Sequence, residues 1–300
     1  MSSTVHLLVG PDAGRGRADG AHTIVERVLA SEGALIVDIT GPDAAASAAA
    51  AAEAVGAGAE RLIVVGGDGL VHLGLQAVAG TPTVLGVVPV GTGNDFARAI
   101  PSIPTEPAAA ARAALGEAGD HDAIRVETGG TTSRWVASVA TIGFSGDVNG
   151  RANRLRFPRG PSRYTVATIL ELPGLTRREL TIDIDGDVSV SSTALLAVAN
   201  TAFFGGGMKI CPDADPTDGL LDVTVVADVG RLELLRFFRL VFAGRHMDHP
   251  KVHGHRGRTV RISGTAIELW GDGERIVDRP VDDSITLEAV PGALRLAGRR

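Results

Sequence analysis

Two polar, glycine-rich stretches hold the residues best suited to handling a phosphate: Gly66-Gly67-Asp68-Gly69 and Gly91-Thr92-Gly93-Asn94-Asp95. Each follows a short apolar run, residues 62–65 and 84–88, with the unbroken β-branched character of a strand covered on both faces. Apolar spacing after the first loop predicts a helix through Leu70, Leu73, Ala77 and Val78. The glycines therefore lie where a strand hands over to a helix N-terminus. Main-chain N–H groups point outward there, glycine lets the chain approach a phosphate, and Asp68 is an oxygen donor suited to Mg²⁺. One such loop is commonly only a turn. Two of them behind neighbouring strands of a parallel sheet fall on the carboxyl edge, where open α/β sheets bind ligands.

The elements that must position these loops alternate from the start of the chain. Residues 5–9 read as a strand, Ile24, Val28 and Leu29 as the apolar face of a helix, residues 34–39 as a strand, and the alanine-rich residues 44–54 as a crossover helix. Three prolines, Pro101, Pro104 and Pro107, precede a further helix at 108–115. Beyond Gly119 the pattern changes to strands joined by Gly/Asp turns: 122–127 and 135–142 as a hairpin, then 179–184, 194–199, 221–226, 259–262, 266–269 and 284–289. This predicts an antiparallel, sandwich-like second domain without intervening helices, with the boundary near residue 120.

GGDG at 66–69, followed about twenty residues later by PVGTGNDFAR at 89–98, resembles the catalytic domain of the diacylglycerol kinase and sphingosine kinase family, the bacterial soluble lipid kinases in particular. The resemblance implies an α/β architecture with two domains. Residues 1–120 would be an ATP-binding, parallel-sheet domain like those of NAD kinase and phosphofructokinase. Residues 121–289 would be a β-sandwich-like lipid-substrate domain, with 290–300 returning to the first. The implied activity is an ATP- and Mg²⁺-dependent phosphorylation of diacylglycerol or a related lipid alcohol. A kinase of a soluble metabolite and a catalytically silent binding homologue are the alternatives.

The implied nucleotide contacts are Pro11, Gly14, Thr40, Gly66, Gly67, Asp68, Gly69, Gly91, Thr92, Asn94 and Asp95. Asp68, Asp95 and Asp122 would hold a catalytic Mg²⁺, directly or through water, with Asp68 also counted in catalysis. In Asp272-Gly273-Glu274, Glu274 is the candidate general base and Asp272 the second choice; by residue type alone this is a hairpin turn. Asp215, Asp218 and the carbonyl of Leu220 resemble a structural Mg²⁺ site, although Asp218-Gly219 ahead of an apolar alternation is equally a turn that opens a strand. Three positions depart from the family pattern: Leu70 replaces a threonine, and His72 and Leu73 replace an Asn-Glu pair. Gly10 likewise stands where the family has an asparagine.

Composition narrows the setting. Three hundred residues, 44% hydrophobic, suffice for two domains, and the single Cys211 excludes an internal disulfide and fits a reducing compartment. Residues 1–150 carry 8 Arg and no Lys against 16 acidic residues, and 151–300 carry 21 against 19. That balance argues against nucleic acid as a partner. The expected setting is cytoplasmic, with a lipid substrate met by transient peripheral contact at the inner membrane surface, and assembly as a homodimer is left open. Arg151, Arg154, Arg156, Arg159 and Arg163, interleaved with Leu155, Phe157 and Tyr164, form a solvated loop or a membrane-docking segment. Residues 232–246 offer core packing or lipid contact. The histidines at 246, 249, 253 and 255 are read as a loop leading into a strand rather than a metal site.

Overall fold

The computed structural model describes residues 4–10, 17–129, 132–155, 162–277 and 279–298. The chain divides into two compact units, Met1–Asp122 with Pro291–Arg300, and Ala123–Val290.

In the first unit β1 (Thr4–Val9), α1 (Arg17–Ser31), β2 (Leu35–Asp38), α2 (Ala44–Gly56), β3 (Arg61–Gly66), α3 (Asp68–Val78) and β4 (Val84–Pro89) alternate strictly, followed by the short α4 (Asp95–Ala99) and α5 (Pro107–Ala114). The strands run in the order β2-β1-β3-β4 with each neighbouring pair parallel, and Arg295 and Leu296 add a further parallel strand beside β4. Strand order reverses between β1 and β3, so the loops after these two strands flank the switch point. Successive strand residues face opposite ways. Val5, Leu7, Val9, Ile63 and Val65 pack under α1 and α5, while a Cβ at Gly74 of α3 would meet Val64 and Leu85 on the other face. Each fully buried Leu, Ile or Val contributes roughly 1.5–3 kcal/mol, enough to fix where both loops emerge.

Helix α1 buries Ala21, Val25, Val28 and Leu29, a spacing of four, three and one, and leaves Ile24 38% exposed at the flank. The expected face through Ile24 was thus rotated by one position. Strand β2 is the edge, and Leu35 and Val37 are exposed there.

The second unit continues from β5 (Ala118–Thr128) through β6 (Thr132–Val136), β7 (Val139–Gly143), α6 (Phe144–Arg154), α7 (Ser162–Glu171), β8 (Arg178–Ile184), β9 (Asp187–Ala199), β10 (Phe203–Phe204), β11 (Met208–Lys209), β12 (Leu221–Ala227), α8 (Arg231–Phe242), β13 (Val252–Gly257), β14 (Thr259–Ser263), β15 (Leu269–Gly271), β16 (Glu274–Arg275) and β17 (Ser284–Ala297). Its organising strand is β9. The first half pairs with β8 and the second with β7 and β12, all antiparallel. Leu196 and Val198 point into a core shared with Leu180, Val223, Ile262 and Leu287. Leu195, Ala197 and Ala199 point the other way, into a second apolar cluster with Phe144, Val148, Met208, Leu234, Phe237 and Val241.

Those helices correct the expectation of a purely β second domain. Residues 144–154 and 162–171 are helical, and Arg151 binds Glu171 at 2.5 Å, joining α6 to α7. Of the arginine-rich segment, residues 156–161 lie outside the described residues, and so do the side chains of Arg163 and Tyr164. The strand expected at 266–269 begins only at Leu269, because Ala266 takes φ 49°. The expected strand 135–142 is two strands. Asp272 accepts the amides of Ala137 and Ser138 through its two carboxylate oxygens, both at 2.8 Å, and Asn200 donates to the Ala137 carbonyl at 2.9 Å. Backbone groups bound this way leave the ladder, so the strand breaks there.

Replacing Asp272 by Ala strands two amides in the interior, and denaturant unfolding is expected to show a loss of about 2–4 kcal/mol. Asp272→Asn, which tolerates the same positive φ and keeps one acceptor, is expected to lose about half as much.

Candidate active site

In the first unit the two glycine loops start level: Gly66 is in register with Pro89, and the Val90 amide donates to the Gly66 carbonyl at 3.0 Å. They then touch through glycine alone. A Cβ on Gly91 would lie 2.4 Å from Gly67 Cα, and one on Gly67 would lie 3.2 Å from Gly91 Cα. Asp68, the first residue of α3, sends Oδ1 across to the Phe96 amide at 3.2 Å, so its carboxylate holds the start of α4 against the start of α3. Asn94 enters α4 in the left-handed region at φ 51° and donates from Nδ2 to the Gly91 carbonyl at 2.9 Å. Its Oδ1 is buried and accepts no hydrogen bond among the described residues. Asp95 follows, 8% exposed. Arg98 donates to the Gly93 carbonyl at 3.3 Å, closing the second loop on itself.

This arrangement brings Gly66, Gly67, Asp68, Gly69, Gly91, Thr92, Asn94 and Asp95 together around two helix N-termini. Bare main chain, two carboxylates and an unfilled amide oxygen form a donor set that suits a polyphosphate with a hard cation. Gly10 lies beside it, its amide donating to the Val65 carbonyl at 3.0 Å; a Cβ there would make only ordinary contacts with Leu70 and Gly66. Leu70 accounts for its own departure from the family pattern: it packs on Gly66, where a Cβ would lie 2.7 Å from its Cδ2. His72 is buried in α3 against Gln76.

Two other expected residues make contacts within the scaffold. The Thr40 hydroxyl accepts the Val9 amide at 3.0 Å, tying β2's exit to β1. Asp122, 4% exposed, accepts the Gly292 amide at 3.0 Å, which secures the returning strand. Pro11 and Gly14 lie outside the described residues.

In the second unit Asp272 and Gly273, at φ 53° and 85°, form the two-residue turn between β15 and β16, a type I′ hairpin. With both Asp272 oxygens engaged by Ala137 and Ser138, the second-choice base is a structural residue, and Glu274 is the exposed carboxylate of this turn. The expected structural Mg²⁺ site is built differently. Asp215 Oδ1 accepts the Thr217 amide and hydroxyl, Asp218 accepts the Leu220 amide, and Asp218 and Asp222 face the Arg256 guanidinium. The positive charge at that turn is arginine, so these residues do not fit a resident cation as arranged. Among the described residues no group of three or more His, Cys, Asp or Glu is placed to hold a metal. His246 is instead fully buried, bonded to the Ile210 carbonyl, and burial lowers its pKa.

One feature was foreshadowed only by residues 232–246, read from the sequence as core packing or lipid contact. Phe144, Val148, Leu195, Phe204, Met208, Ile210, Leu234 and Phe237 line an apolar pocket between the sheet and the helices. Asp147, adjoining Val148 on α6, is half-buried, and desolvation raises its pKa.

Gly91→Ala must part the two loops and is expected to cost about 1–3 kcal/mol in denaturant unfolding, more than Gly67→Ala. Arg256→Ala leaves Asp218 and Asp222 facing each other across a half-exposed turn. A loss of about 1 kcal/mol, unchanged by chelator in the wild type, is expected from thermal unfolding.

Comparison with known proteins identifies the family. The model of the diacylglycerol kinase catalytic domain matches residues 4–126, and that of the YegS C-terminal NAD kinase beta sandwich-like domain matches residues 137–298. A diacylglycerol kinase of Mycobacterium tuberculosis is 38% identical over 296 residues, covering 97% of this chain and 94% of its own. Among solved structures, a diacylglycerol kinase from Bacillus anthracis superposes with a TM-score of 0.75 at 19% identity, covering 99% of this chain and 97% of that one. Yeast NADH kinase in complex with NADH shares the fold at a TM-score of 0.53 and 12% identity, covering 100% and 84%. No helix among the described residues is long and apolar enough to cross a membrane. With its catalytic-domain loops and its sandwich unit both accounted for, the chain belongs to the diacylglycerol kinase family and is a phosphotransferase of the lipid-kinase type.

Proposed function

We propose that this protein transfers the γ-phosphoryl group of ATP, with Mg²⁺, to the hydroxyl of diacylglycerol or a related lipid alcohol. The observation that carries the reading is the contact of Gly67 with Gly91, bridged by the Asp68 carboxylate and the Phe96 amide. Phosphoryl transfer asks a protein mainly for positioning and for charge neutralisation. The amides that open α3 bind phosphate oxygens, and the absence of side chains at Gly66, Gly67 and Gly91 brings the main chain within reach. Asp68 and Asp95 are the residues that would hold Mg²⁺, directly or through water. Bound Mg²⁺ supplies charge neutralisation at the phosphates. The Asn94 amide oxygen would be a further polar acceptor beside them.

Glu274 is assigned as the general base that takes the acceptor's hydroxyl proton. It projects from a hairpin whose geometry Asp272 fixes, which suits a carboxylate that must be held in place. A lipid acceptor is supported by the apolar pocket beneath α8 and by the name carried by the 38% identical relative. The pocket's water-accessible space is about 30 Å³, so an alkyl chain would enter only with displacement of the Phe204, Phe237 or Phe238 rings.

Label transfer from γ-labelled ATP to a panel of lipids in detergent tests the reading. A phosphorylated lipid is expected in the presence of Mg²⁺, with turnover reduced at least about 100-fold in Asp68→Asn and in Glu274→Gln while unfolding midpoints stay unchanged. Product only with water-soluble alcohols would move the acceptor class, and ATP binding without any transfer would make the protein a silent homologue.

A further inference from the structure

We propose that the outward face of α8 docks on an anionic phospholipid bilayer; this rests on the lipid-acceptor reading above and names the surface that would deliver the protein to its substrate. Helix α8 is amphipathic in an uneven way. Leu234, Phe237 and Val241 are buried, a spacing of three and four that turns one face to the interior. On the opposite face Leu232, Arg236 and Arg239 recur at the same spacing, and all three are exposed, Leu232 at 76%. Phe242 ends the helix at 45% exposure. A leucine and a phenylalanine held in water beside arginines are what an interfacial helix presents to a bilayer, apolar tips to the acyl boundary and cations to the headgroups.

Local charge decides which bilayer. The carboxylates near this face are already matched: Glu233 binds Lys251 at 2.7 Å and His249 at 3.5 Å, Asp228 binds Arg177 at 2.8 Å, and Glu171 binds Arg151 at 2.5 Å. Arg231 donates to the Pro173 carbonyl at 2.6 Å, which leaves its charge uncompensated. Arg236, Arg239 and Arg245 make no ion pair among the described residues. The face is therefore net cationic, because its carboxylates are already paired and Arg236 and Arg239 are not. An open groove of about 710 Å³ starts at the same place, lined by Arg177, Arg231 and Arg236 with Leu175, Leu232 and Glu233; Glu233 is held by Lys251, so the arginines set the charge and suit a phosphate headgroup. The inner side of the same helix walls the apolar pocket through Leu234, Phe237, Phe238 and Val241. A docked α8 would thus have lipid on one side and the pocket on the other.

Co-sedimentation of the full-length protein with vesicles, without ATP, tests the assignment apart from catalysis. Wild type is expected to bind vesicles containing phosphatidylglycerol, to bind pure phosphatidylcholine far more weakly, and to lose the difference as salt is raised. Arg236→Ala with Arg239→Ala should weaken binding to the anionic vesicles on the order of 25-fold, about five-fold per arginine, and leave binding to phosphatidylcholine unchanged. Leu232→Ala should weaken both. Turnover on lipid dispersed in detergent should be unaffected by these substitutions. Wild-type binding that ignores vesicle charge, or that survives the double substitution, would overturn the proposal. So would a wild-type dimer in solution that Leu232→Ala dissociates, which would give the face to a second copy. Vesicle binding without lipid phosphorylation would sink the kinase reading and leave the docking face standing.

Discussion

Everything chemical in the first unit depends on two main chains being able to touch. Gly67 and Gly91 meet with no side chain between them, and the distance leaves no room for even one methyl group. Because of that contact, the N-termini of α3 and α4 emerge side by side, and a single carboxylate, Asp68, can hold the Phe96 amide while remaining in the first turn of its own helix. Two helix ends and two acidic residues then share one small volume. A phosphate is attracted by the former and a cation by the latter, and a nucleotide with its metal satisfies both.

The second unit is held at an analogous point, though by a side chain in place of a bare backbone. Asp272 grips the amides of Ala137 and Ser138, and the hairpin it belongs to keeps a left-handed residue at its first turn position. A carboxylate so used is expensive to remove and poorly placed to accept a substrate proton. Its neighbour Glu274 is thereby separated in role: one carboxylate fixes the turn and the other is presented by it. The long strand β9 does the larger work of dividing this unit, sending alternate residues to the sandwich core and to the layer beneath α6, α7 and α8.

The departures from the family pattern are absorbed by packing. Leu70 takes up the space above Gly66 that a smaller residue would leave open, and His72 finds Gln76 one turn along the helix. Neither removes a main-chain amide from the loop, so the bare start of α3 persists without the threonine hydroxyl. At the Asp218 turn Arg256 brings a covalently attached charge to carboxylates that a divalent cation would otherwise balance.

How much of this was legible in the chain follows from the range of each interaction. Alternating buried strands and helices up to Pro89, the two glycine loops, and the Asp-Gly turns were all readable, because period and turn chemistry are local properties of a few adjacent residues. The sequence by itself therefore determined the kind of fold, the family and the residues around the loops. Long-range contacts decided the rest. Nothing near Trp135 announces that a strand must break at Ala137, because the carboxylate that breaks it lies 135 residues away. Nothing in 144–171 announces helices, because arginine-rich residues take whichever conformation buries Phe144 and Val148 against β9. Which arginines stay unpaired on α8, and which carboxylates become anchors in place of ligands, is settled only when distant segments fold together and compete for the same charges.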